Sequence, residues 1–218
     1  LSDNALIQGS SGKTLTITAH DIGVGGTEGD DTIVLTSSFN GLVETFAGND
    51  SIVANFAADF NIDSGTGDDS VTTGSGNDTI NAGEGNDYIS AQSGNNIVDG
   101  GSGNDHINTT SGDDIIQGGE GNDSIYAVGG DNIIDGGEGN DYIATHSGDD
   151  IITGGTGDDN LYYYSGGNHG NDTYIYNKGD GNDTINEGNA TSNSSSDKIQ
   201  FNSTISVDDL IFSRSGNN

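Results

Sequence analysis

Acidic and amide residues recur along this chain at a spacing that points to chemistry. Asp69, Asp87, Asp105, Asp123, Asp141 and Asp159 stand 18 residues apart, and Asp31 and Asp50 precede them at intervals of 19. A second set, Asp78, Asn96, Asp114, Asn132 and Asp150, falls midway between the members of the first. Each closes a glycine-rich hexapeptide such as GGSGND (100–105) or GGEGND (118–123). Two later pieces, GNDTYIY and KGDGNDTI, add Asp172 and Asp183 as candidates of the same kind. Carboxylate, amide and carbonyl oxygens, with no thiol or imidazole repeated beside them, form a donor set for a hard cation rather than for zinc or copper.

The elements that must position these groups follow from the same repeat. Residues 64–162 read as eleven consecutive nonapeptides without insertion, with Gly always at position four, Asp or Asn at six, and Ile, Val or Leu at eight. Glycine reaches φ > 0 without a steric penalty, so the first six residues are expected to curl into a turn with carbonyl oxygens on one side. The last three are expected to form a strand whose position eight points inward, because neighbours on a strand alternate faces. Two nines make a coil of 18 residues with two loops and two short strands. The fold expected is all-β: a thin two-sheet parallel β-solenoid around an aliphatic core. Coils stacked at the strand spacing of about 4.8 Å place an ion midway between aligned oxygens at about 2.4 Å from each, which suits calcium better than magnesium.

The motif G-G-x-G-x-D-x-U-x, repeated in register, resembles the calcium-binding nonapeptide of the RTX (repeats-in-toxin) family. That resemblance implies a right-handed parallel β-roll with several Ca2+ ions, each between two loops on one edge. Its ligands would be the residues named above, with loop backbone carbonyls around Gly100, Ser102, Gly118, Glu120, Gly136, Glu138, Gly154 and Thr156. It also implies export by the type I secretion machinery of a Gram-negative bacterium and a final place outside the cell or on its surface. The parent protein could be a toxin, protease, lipase or adhesin.

Composition agrees with a cation-dependent fold. The net charge is -31, from four Lys or Arg against 35 Asp or Glu, and only 29% of residues are hydrophobic. Such a chain is expected to stay expanded in water until something neutralises it. The sign of the charge excludes nucleic acid as a partner. There is no Cys, hence no disulfide framework, and no apolar run reaches the length of a membrane span. GSSGKT (9–14) looks like the end of a phosphate loop, but Ile7 stands where that motif needs Gly. No HExxH or GxSxG occurs, so no enzyme is expected here.

Five segments are expected. Residues 1–25 form an N-terminal cap with an alternating strand at 14–19; 26–63 form irregular 19-residue coils; 64–162 are the regular roll. Residues 163–190 are degenerate repeats, and 191–218 are a C-terminal flank with a polar link (191–196) and a closing hairpin from the apolar runs 199–201 and 210–212. Both chain ends read as cuts from a longer protein, the C-terminal one leaving out a secretion signal.

The two edges of the solenoid differ. The edge ending in Asp69 to Asp159 keeps Gly at position two, and five ions are expected along it. The other edge mostly loses Gly at positions one and two and alternates Asp with Asn, so it should bind fewer ions or bind them more weakly. Ile97, Ile115, Ile133 and Ile151 at position seven should form an outward rail, a docking or self-association face or simply β-favouring residues. Tyr88, His106, Ser124 and Tyr142 hold the matching places on the other sheet, where cross-strand packing is the expected role. A structural surface module, adhesin or S-layer, is the competing functional reading.

Overall fold

A computed structural model describes residues 7–8, 14–17, 23–35, 41–163, 170–186, 196–203 and 205. Most of the phosphate-loop-like stretch (9–13), residues 18–19 of the first strand run, most of the polar link and the run 210–212 lie outside them. Every regular element among the described residues is a strand. Successive strands alternate between two sheets of eleven and ten strands, and all pairings are parallel.

The register is that of stacked identical coils. In the first sheet Ile97 pairs with Ile115, Ile115 with Ile133 and Ile133 with Ile151; in the second Tyr88 pairs with His106 and Ser124 with Tyr142. Consecutive strands never pair with each other, because each loop carries the chain across to the opposite sheet. The chain is therefore an all-β solenoid of two parallel sheets; among the described residues there is no helix, and none long and apolar enough to cross a membrane.

Position eight supplies the core. Val71, Ile80, Ile89, Val98, Ile107 and Ile116 are buried, and the same column continues to Leu161. Position seven faces out: Ile97, Ile115, Ile133 and Ile151 are 38–50% exposed. On the opposite outer face Tyr88, His106, Tyr126, Tyr142 and Tyr162 follow one another with ring centroids 5.1–6.4 Å apart, the spacing of aromatic neighbours packing across strands.

The structure departs from the expected loops in one way and shows how the last described strand is placed. Pairing does not stop at position nine: Gly101 pairs with Gly119 and Ser102 with Glu120, so the sharp turn is confined to positions four to six. Identical coils stack loop on loop, and the backbone of one loop can pair with the next whatever its side chains. The run 199–201 is a strand, and its expected hairpin partner 210–212 lies outside the described residues. Lys198–Phe201 adds a parallel strand against Thr173–Tyr176, continuing the first sheet, because a parallel solenoid leaves an open parallel edge at its end.

Candidate calcium sites

Stacking turns the intervals of 18 and 19 into two files of side chains. Asp31, Asp50, Asp69, Asp87, Asp105, Asp123, Asp141 and Asp159 are all 1–4% exposed. From Asp50 onwards each carboxylate accepts, through Oδ1, the backbone N–H of the acidic residue one coil earlier. Asp50 N donates to Asp69, Asp69 N to Asp87 and Asp105 N to Asp123, at 2.7–2.8 Å. Asp159 N donates to Asp183 Oδ1 at 3.1 Å, so Asp183 extends the file over a 24-residue step.

The second file runs from Asp78 through Asn96, Asp114, Asn132 and Asp150 by the same bond. Asp150 N then donates to Asp172 Oδ1 and Asp172 N to Asp197 Oδ1. Asp197 was not singled out by the repeat, because a 25-residue step separates it from Asp172. At the other end Phe60 N donates to Asp78, and the buried Phe60 stands where the file would carry an acid.

The other oxygen of these carboxylates is the informative one. Oδ2 of Asp50, Asp69, Asp87, Asp105, Asp123, Asp141 and Asp159 is buried with no hydrogen-bond partner, as is Oδ2 of Asp78 and Asp114. A buried carboxylate oxygen without a donor is costly, and a cation is the partner that relieves it. Burial pushes the carboxyls of Asp69, Asp105 and Asp141 up to about 7, and nearby carboxylates such as Asp87, Asp123 and Asp159 push the same way. Asp87 and Asp159 are raised to about 6, again chiefly by burial. Two carboxylates one coil apart repel by about 0.9 kcal/mol even at the dielectric of water, and burial strengthens that.

Glycine at position one opens room on the first edge. A β-carbon on Gly118 would lie 2.5 Å from Asp123 Oδ2 and 2.4 Å from the Gly136 carbonyl oxygen; Gly100 and Gly136 face the equivalent pairs at 2.3–2.5 Å. Two oxygens from adjacent coils thus converge on the bare face of each glycine, one anionic and one a carbonyl, a hard-donor arrangement that fits calcium. The position-three carbonyls of Ser102, Glu120, Glu138 and Thr156 each accept a backbone N–H from the preceding coil, which leaves one lone pair apiece. The repeat had treated positions one and two alike; the structure separates them. Position two carries positive φ on this edge, +116° at Gly119, with the β-carbon place 1.9 Å from the Gly101 oxygen.

Position five forms an outer ladder running the opposite way. Asn104 N donates to Asn86 Oδ1 and Asn122 N to Asn104 Oδ1, both exposed. Nothing in the type of these residues points to more than solvation. Their order along the repeat, Asn or Asp at every coil, was the available signal.

A parallel β-solenoid with a file of buried, half-satisfied carboxylates facing glycine carbonyls defines a calcium-binding repeat protein of the β-roll class. The comparison with known families agrees. Residues 63–169 match the RTX calcium-binding nonapeptide repeat, in overlapping four-copy segments, and this stretch of the chain belongs to that family. RTX repeats are typical of secreted bacterial proteins. No curated protein and no solved structure matches the chain.

Proposed function

We propose that this chain is the calcium-binding module of a protein exported by a type I secretion system from a Gram-negative bacterium. In this reading it acts by folding and does no catalysis of its own. The observation that carries the proposal is the file of seven buried Oδ2 atoms from Asp50 to Asp159 without a partner. Asp105, Asp123, Asp141 and Asp159, with the carbonyls of Gly118, Gly136 and Gly154, would hold the ions. Bound calcium supplies positive charge to carboxylates that otherwise repel along the stack.

The chain's own residues account for the rest. The position-eight aliphatics provide a core only two sheets thick, and the charge of -31 opposes closing it. At low calcium the acidic turns keep the chain expanded and able to pass through a channel; at extracellular calcium it coils, and ion binding and folding are one event. The test is circular dichroism in excess chelator and in millimolar calcium. A β-rich spectrum only with calcium is expected; the same spectrum in both would refute the proposal.

The Ile rail favours a second reading, a surface module that calcium rigidifies and assembles. Its exposed large apolar side chains lie in one row, as association faces do. Light scattering separates the two: a calcium-loaded monomer fits the secretion module, calcium-dependent growth in mass the surface role.

A further inference from the structure

The two edges solve the same electrostatic problem by different means. On the first edge the register passes over position one: Gly101 pairs with Gly119 and Gly119 with Gly137, while Gly100, Gly118 and Gly136 stand out of the pairing. Positive φ at position two turns the preceding peptide, and with it the position-one carbonyl, towards Asp Oδ2. On the second edge position one is itself paired, Ala91 with Thr109, Thr109 with Ala127 and Ala127 with Thr145. Position two there carries side chains, including Val128 and His146, and none of them has positive φ.

The second edge also brings its own donors, in alternation. Where position six is Asp78 or Asp114, position one is Thr73 or Thr109, whose hydroxyl is buried in the same loop and favours the charged form of that carboxylate. Where position six is Asn96 or Asn132, position one is Ala. Asn96 Nδ2 donates to the Gly94 carbonyl at 3.0 Å and to Asp114 Oδ1 at 3.0 Å; Asn132 Nδ2 donates to the Gly130 carbonyl at 3.0 Å and to Asp150 Oδ1 at 2.9 Å. The amide therefore bridges a loop carbonyl and the next carboxylate, the task that a cation has on the first edge. No two carboxylates adjoin in this file between Asp78 and Asp150.

The N-terminal coils of the first edge use the same device. Thr27 donates twice to Asp31 Oδ2. Thr45 Oγ1 donates to the Ser64 carbonyl at 2.7 Å and Ser64 Oγ to the Ala82 carbonyl at 3.0 Å. Those are the position-one carbonyls that face an open glycine farther along. At 82 itself a methyl group fills the place.

We infer that calcium loads this solenoid on one edge and in one half only, at the loops that begin with Gly100, Gly118, Gly136 and Gly154, while a hydroxyl, an amide or, at Ala82, a methyl group takes its place in the remaining loops. The inference rests on the calcium-module reading above. It narrows the five ions expected from the repeat to about three, one in each gap between those four loops, and assigns none to the second edge between Asp78 and Asp150. The roll then has a hydrogen-bonded edge that can hold register while the other edge fills.

The experiment counts ions per chain by native mass spectrometry, with calorimetric titration, on the full chain and on two reciprocal loop swaps. Ala127→Gly with Val128→Gly and Asn132→Asp gives a second-edge loop the first-edge pattern and should gain about one ion. Gly118→Ala with Asp123→Asn gives a first-edge loop the second-edge pattern. It should lose about one ion and still fold in calcium, because the amide takes over the bridge. A count of about three in the parent chain, moving by about one in opposite directions in the swaps, supports the inference. A count near ten, or one that neither swap changes, overturns it and leaves the calcium module standing. No calcium bound at all removes the module and the inference together.

Discussion

The backbone N–H of Asp123 donates to Asp141 Oδ1 at 2.8 Å, one coil on, while Oδ2 of both residues is buried without a partner. Each carboxylate is divided in two: one oxygen belongs to the hydrogen-bond file that sets register, the other is left for a cation. Two substitutions at one position can separate these roles.

Asp123→Asn keeps an acceptor for Asp105 N and removes the charge. The calcium concentration for half-folding should rise severalfold, with stability in saturating calcium reduced less than in the alanine variant. Asp123→Ala also orphans the buried Asp105 N–H, which adds about 1–3 kcal/mol. Urea unfolding in saturating calcium measures the difference between the two; equal stabilities would show that the Oδ1 bond carries no weight.

Neighbouring isoleucines should behave oppositely. Ile115 is 48% exposed and Ile116 is 1% exposed, on the two faces of one strand. Ile116→Ala should cost about 2–5 kcal/mol through loss of burial and the cavity left behind. Ile115→Thr keeps a β-branched side chain at a surface position and should stay within about 0.5 kcal/mol. Denaturant midpoints at fixed calcium decide this, and a large loss at Ile115 would mean that its face is covered in solution.

Much of this arrangement was legible in the repeat, for a physical reason. A period of 18 in a parallel solenoid puts residue on residue, so Asp87 and Asp105 could be placed in one file without knowing any angle. The same held for the outward Ile rail and the inward position-eight column, which need only the alternation of a strand. What lay beyond the sequence had irregular steps or equivocal side chains. Asp197 joins the second file over 25 residues, and no period reaches it. The meaning of Thr73, Thr109 and Ser64 depends on position one pointing into the coil beside the carboxylate, a direction that residue type alone does not give.

The two kinds of glycine should fail in different ways. Gly119 has φ +116° and a β-carbon place 1.9 Å from a backbone oxygen. Gly119→Ala therefore strains the backbone whether or not ions are present and should cost on the order of 3 kcal/mol. Gly118 has no such φ, and its β-carbon meets the Gly136 oxygen and Asp123 Oδ2, at 2.4 and 2.5 Å. Gly118→Ala should chiefly weaken calcium binding, as Ala82 shows that a methyl group is tolerated at this position of the coil. Calcium titrations followed by circular dichroism separate a shifted midpoint, expected for Gly118→Ala, from a lost folded baseline, expected for Gly119→Ala.

Acid should partly replace calcium. Burial, and then neighbouring carboxylates, raise Asp69, Asp105 and Asp141 from an ordinary 3.8 to about 7 in the coil. The folded chain therefore binds more protons than the unfolded one between about pH 4 and 7, and stability without calcium falls as pH rises through that window. In chelator, lowering the pH from 8 towards about 4.5 should increase the β content, as protons neutralise the file. In calcium the trend reverses in its effect on binding, because protons compete for the same Oδ2 atoms and the half-folding calcium concentration rises on acidification. Circular dichroism across pH in chelator, beside calcium titrations at pH 5.5 and 7.5, tests both arms. A calcium-free chain that unfolds further on acidification would show that these carboxylates are not buried as the coil places them.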